Sequence, residues 1–229
     1  MFPNRFWAAL GSGEAVNEHV TGEPWPPKEQ RNARLAASVE VIRELLAGEE
    51  VSRCDEIHVH RARVWSRPAA PPLLYGASVT AATAAFVAGW PDGLVTVAQA
   101  PDTLDGVIAA YRGADGRGEC VRQVHVALED TEQQALDVVR RQWRHSAIVG
   151  TLWDIEQSEE FDELAGDPSD DALRRGALTS DDAEELADRI AGLAAIGFDR
   201  VYLHGIGTDQ VDFLRRAERS LQPALRRAS

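Results

Sequence analysis

Three short stretches carry residue types that could do chemistry. The first is Gly11-Ser12-Gly13-Glu14-Ala15-Val16-Asn17-Glu18, directly after a predicted strand. Glycines after a parallel strand let the backbone approach a ligand closely. Glu14 can then act as a proton donor, provided desolvation keeps its carboxyl protonated. Val16 replaces the third glycine of a dinucleotide fingerprint and no Gly-Lys-Ser/Thr follows, so neither that motif nor a Walker loop is present. A plain turn with a solvated glutamate also fits the spacing. The second stretch, Ala77-Ser78-Val79-Thr80, lies between a strand and a helix. Free N–H groups and hydroxyls there suit a phosphate, although Ser78 equally suits an ordinary N-cap. The third, His204-Gly205-Ile206-Gly207-Thr208-Asp209-Gln210, follows the last predicted strand. On a barrel this is the ligand-binding rim; otherwise it is a turn with a core or capping histidine. His58 and His60 share a strand face near Cys54. They lack an apparent fourth ligand, so no metal is expected. Trp7, Trp65, Trp90 and Trp143 read as packing residues, with Trp7 pointing toward the site region if its strand enters a barrel.

These residues need strands and helices in alternation, and the pattern supplies them. Strands are predicted at 5–10, 73–77, 93–97, 121–128 and 200–204, with a small hairpin within 51–68. Helices are predicted at 30–47, 79–89, 101–112, 130–144, 181–196 and 208–227. Residues 150–180 are acidic and read as an irregular inserted loop. Strands separated by helices imply a parallel sheet with right-handed crossovers.

The 37 acidic and 24 basic residues give a net charge of −13, which argues against nucleic acid or an anionic membrane as the main partner. Lys28 is the only lysine, and two distant cysteines build no disulfide framework. The expected location is cytoplasmic.

Residues 5–19, Gly22 to Lys28, Arg61 to Pro68, Trp90 to Thr96, Gln142-Trp143-Arg144 and His204 to Gln210 resemble the luciferase-like flavin and deazaflavin oxidoreductases. The branch most similar is that of the deazaflavin (coenzyme F420)-dependent glucose-6-phosphate dehydrogenases. The resemblance runs nearly the whole length and implies an α/β fold of the (βα)8 TIM-barrel type. It implies one domain over 1–229 with an insertion at 145–180. It also implies FMN or F420 as cofactor and a small organic substrate for hydride transfer or monooxygenation. A homodimer is left open. On this match Gly13 and Asn17 border the cofactor ring, Glu14 is the acid, and the backbone of Ala77, Ser78, Val79 and Thr80 cradles the phosphate. The hydroxyls of Ser78 and Thr80 tilt the expectation slightly to FMN. Val97 and Ala100 stand where a sugar-phosphate enzyme has threonine and lysine, which argues against glucose 6-phosphate.

The match begins at the family's fourth barrel strand, so only about five of the eight βα units are expected. The absent part includes an Asp-His segment that faces the cofactor. Met1, the only methionine, falls where family members can have an internal one, as a start codon assigned too late would produce. The alternative expectation is a truncated, cofactor-free remnant or an interaction subunit that pairs with another barrel chain.

Overall fold

The computed structural model describes residues 5–97 and 101–228; Met1 and Ala100 lie outside them. The chain runs β1 (Trp7–Leu10), α1 (Ala15–Glu18), α2 (Lys28–Ala47), a hairpin of β2 (Val51–Cys54) and β3 (His58–Ala62), β4 (Leu73–Ala77), α3 (Ala81–Val87), β5 (Gly93–Thr96), α4 (Pro101–Gly113), β6 (Glu119–Leu128) and α5 (Glu132–Gln142). It continues through α6 (Ser158–Ala165), α7 (Asp170–Gly176), β7 (Leu178–Ser180), α8 (Ala183–Ile196), β8 (Arg200–Gly205), α9 (Gln210–Arg216) and α10 (Gln222–Ala228).

Six strands form one parallel sheet, ordered β1-β4-β5-β6, with β7 and β8 both on β6. Val121 pairs with both Val95 and Arg200, so β5 and β8 flank the ten-residue β6. Side chains alternate across each strand. One set, including Leu94, Val124 and Val126, packs with α3, α4, α8 and α10 into the main core. The other set includes Trp7, Tyr75, Glu119, Tyr202 and the histidines of β6 and β8. Trp7 packs at a tilt against Tyr75 and stacks on Tyr202, at centroid distances of 4.9 and 5.8 Å. Trp7 and Tyr202 sit on the two ends of the strand order, so their contact requires a sheet curled like part of a barrel. Beneath them Glu119 accepts hydrogen bonds from Tyr75 Oη and Arg200 Nη2, each at 2.8 Å. Burial, reinforced by Glu119, pushes the Tyr75 phenol up to about 12, so it stays a donor.

Local devices explain the element ends. Gly48, at φ +100°, donates to the Glu44 and Leu45 carbonyls and stops α2. Thr131 and Asp182 cap α5 and α8 with side-chain oxygens, each worth about 1 kcal/mol.

One reading of the sequence needs correction. Residues 150–157 are irregular as expected, but the rest of 150–180 forms α6 and α7 and ends in β7, which adds a strand to the five expected. Both helices are short and β7 has three residues, so their periodicity is weak in the sequence. The last helix is unbroken from Gln210 to Ala228, as the sequence implies, but a π-helical turn at Ala217–Leu221 joins α9 to α10 just ahead of Pro223, which has no N–H for the regular ladder. Among the described residues, no helix is long and apolar enough to cross a membrane.

Candidate functional site

The turns after β1 and β4 emerge side by side because those strands are paired, Leu10 opposite Gly76. Between them opens a cavity of about 570 Å³ at the carboxyl ends of the two strands. Its wall contains every residue expected to act as the acid or to contact the cofactor: Gly13, Glu14, Asn17, Ala77, Ser78, Val79 and Thr80. Parallel-sheet proteins bind ligands at this end of their strands.

Gly13 has φ +81°, a left-handed conformation that costs other residues strain. Glu14 precedes α1 in extended conformation; its exposed carboxylate accepts from Asn17 Nδ2 at 3.3 Å. At the opposite wall Thr80 caps α3, accepting from the Thr83 N–H at 3.2 Å. Ser78 does not offer its backbone to a ligand. Its N–H donates to the Val95 carbonyl at 3.0 Å and its hydroxyl to the Thr80 carbonyl at 2.8 Å. The Thr80 hydroxyl likewise donates to Thr83 Oγ1 at 3.0 Å. Both hydroxyls therefore serve the turn itself, and of the expected four-residue amide cradle the Ser78 N–H is already taken by β5.

The cavity also holds residues that the sequence did not mark. Lys28 donates to Ser12 Oγ at 2.9 Å. Burial, then the Arg31 charge, pull its ammonium below the usual lysine value. Arg31 is 4% exposed, lies 4.2 Å from the Trp25 ring and reaches Asp154 Oδ1 at 3.3 Å. Asp154 also accepts from Trp25 Nε1 at 2.8 Å, and the neighbouring Trp153 carbonyl accepts from the Ala15 N–H at 2.9 Å. These contacts hold Trp153 in the cavity wall. In the sequence Lys28 stands out as the sole lysine and as the end of the Gly22–Lys28 stretch, without a site role. Arg31 and Trp153 gave no local signal, because the contact that assembles them spans more than a hundred residues.

Trp7 does not line the cavity; it packs inside the curled sheet. The other histidine motifs also separate. Cys54 pairs with His58 across the hairpin, and no group of three metal-ligating side chains occurs among the described residues. His204 lies instead beside His125 on the inner face of β6 and β8.

The sequence profile of the family described as Luciferase-like monooxygenase matches residues 1–200. The chain is 32% identical to the F420-dependent glucose-6-phosphate dehydrogenase of Nakamurella multipartita, over 99% of this chain and 70% of that protein. Identity to the protein of the same name from Microbacterium testaceum is 30%, with coverage of 99% and 70%. Its structure is similar to an F420-dependent secondary alcohol dehydrogenase in complex with an F420-acetone adduct. That match has a TM-score of 0.85 at 24% identity and covers 98% of this chain and 71% of the other. The tetrahydromethanopterin reductase of Methanopyrus kandleri, a coenzyme F420-dependent enzyme, superposes with a TM-score of 0.75 at 15% identity, over 95% and 73%.

Proposed function

The chain belongs to the luciferase-like monooxygenase family, and from that premise we propose a deazaflavin-dependent oxidoreductase that takes F420 in the cavity at the ends of β1 and β4. The observation that carries this reading is the convergence of the Gly13–Asn17 turn and the 77–80 turn on one cavity. The relatives named above favour F420 over FMN. The hydroxyls that tilted the sequence toward FMN are occupied within their own turn, which removes that argument.

The cavity suits a phosphate-bearing cofactor. Lys28 and Arg31 place two cations at its wall, against the carboxylates of Glu14 and Glu18, on a chain of net charge −13; at contact distance such local cations act on a phosphate more strongly than the screened distant charges. Gly13 permits close backbone approach, and Val79 and Thr80 offer the α3 end of the cavity to the phosphate. When bound, the cofactor supplies hydride chemistry. The chain's part is to orient it and to manage the proton. Glu14 is the group in reach of this role, steered by Asn17 Nδ2. The substrate is a small organic molecule.

Titrating F420 into the 229-residue chain and following deazaflavin fluorescence tests the reading. Saturable one-to-one binding is expected; no binding would favour the cofactor-free subunit instead. Glu14→Gln should leave the F420 dissociation constant unchanged and lower turnover by about 100-fold or more. Unchanged turnover removes Glu14 from the mechanism.

A further inference from the structure

The inner face of the curled sheet carries a second polar cluster outside the cavity wall. His125 and His204 are partners in the β6–β8 register, toward the carboxyl ends of both strands, with their Nδ1 atoms 2.9 Å apart. Trp143, just past α5, packs on both rings at centroid distances of 4.6 and 5.1 Å. His125 is buried and His204 half-buried. On β1, β4 and β5 the residues toward the carboxyl ends of this same face are small, Ala9, Ala77 and Val95. No bulky side chain from these positions therefore faces the histidines across the sheet.

An Nδ1–Nδ1 hydrogen bond fixes complementary tautomers. One ring donates its Nδ1–H and so has a bare Nε2; the other accepts and carries its proton on Nε2. Among the described residues neither Nε2 has a hydrogen-bond partner. The pair thus offers one acceptor and one donor. A hydroxyl group, which both donates and accepts, uses both; a carbonyl oxygen uses the donor alone. Burial first, then the charges of His204 and Arg122, push His125 down to about 4. It is uncharged near neutral pH, which disfavours an anionic ligand group there. Trp143 supplies an apolar wall.

We propose that His125 and His204 bind the oxygen of a neutral alcohol or the carbonyl compound related to it, with the carbon body of that molecule against Trp143. This rests on the oxidoreductase reading and names its substrate class. It sets the chain apart from relatives whose names specify a sugar phosphate.

The test is a long-range ¹H–¹⁵N spectrum of the histidine-labelled 229-residue chain, titrated with cyclohexanol, with and without saturating F420. Saturable shifts are expected at the ring nitrogens of His125 and His204, and none at the exposed His58 and His60. Glucose 6-phosphate should leave the pair unmoved. His204→Asn should abolish the His125 response, and His125→Asn that of His204, in variants whose far-ultraviolet circular dichroism matches the parent. A pair silent to cyclohexanol under both conditions overturns the proposal, as does an equal response to glucose 6-phosphate or a response that survives both substitutions. The F420 fluorescence titration is read separately. If F420 fails to bind while the pair responds, the cofactor reading falls and the oxygen site stands. If F420 binds and the pair is silent, the reverse holds.

Discussion

Gly13→Ala tests whether the turn after β1 is shaped for a ligand or only for the backbone. At φ +81° an L-residue pays about 1–2 kcal/mol. The new Cβ would also overlap Glu18 Oε1 and lie 3.4 Å from the Trp25 ring. Glu18 can swing away to a contact distance of about 3.5 Å. This loosens its 3.7 Å pair with Arg34, which is exposed and worth at most about 1 kcal/mol. The displaced carboxylate belongs to the cavity wall. Gly22→Ala is the matched control, with φ +76° and nothing within 4 Å of its Cβ. Each variant should lose about 1–2 kcal/mol, lowering Tm by roughly 2–8 °C for a chain of this size. Only Gly13→Ala should weaken F420 binding, by about tenfold, or ~1.4 kcal/mol. Thermal melts by circular dichroism and fluorescence titration read the two effects independently. Equal F420 affinity in the two variants refutes the placement of the cofactor against this turn. Unchanged Tm in both refutes the backbone argument.

Lys28→Met removes a cavity cation and its bond to Ser12; F420 binding should weaken by about tenfold and lose part of its salt dependence, as titrations at two ionic strengths will read. Its stability at pH 7 should not fall, because the folded state depresses the lysine's protonation and so gains nothing from its charge. His125, held near 4 in the fold against an ordinary 6.5, should contribute a loss of roughly 3 kcal/mol as pH falls from about 6.5 to 4, since only the unfolded chain takes up its proton there. Urea unfolding of parent and His125→Phe at pH 7 and pH 4.5 isolates that slope, which should flatten in the variant. Asp154→Ala leaves the buried Arg31 without its carboxylate and should cost about 1–3 kcal/mol while freeing Trp153, seen as a red-shifted tryptophan emission.

The alternation of strands and helices was legible because each strand is an apolar run and each helix has a periodic face. Leu94, Val124 and Val126 face α4 and α8 as that pattern requires. The cavity turns were legible because their chemistry is local: Gly13, Glu14 and Asn17 span one turn, and Ala77 to Thr80 another. What escaped is what long-range contact creates. Trp25, Arg31 and Asp154 meet only after the chain has passed α5 and returned, so no spacing announces them. Ser78 reads as a phosphate donor in sequence, yet the β4–β5 pairing claims its amide. The three-residue β7 has too short a run to show alternation, and it exists because the end of β6 offers it an edge at Val126–Leu128.

The chain spans about 70% of the length of the relatives it matches, and the interior of its sheet bears on what that span can do alone. In a curled sheet the inward side chains of opposite strands must fill the middle or leave it wet. Here the amino-terminal end of the inner face is filled by Trp7, Tyr75 and Tyr202 over the Glu119–Arg200 pair. Contacts between β1 and β8 therefore form through side chains, without strands hydrogen-bonded between those two. That plug holds the two ends of the sheet at a fixed separation, and the cavity and the histidine pair both lie toward the opposite end. Tyr202→Ala removes the stacking partner of Trp7 and should lower stability by about 1–3 kcal/mol, combining lost area with lost stacking. If the plug sets the curl, the same substitution should also weaken F420 binding at the cavity, although Tyr202 is not part of its wall. A Tyr202→Ala chain that is destabilised but binds F420 as the parent does would show that the β1–β4 turns hold their geometry without help from β8.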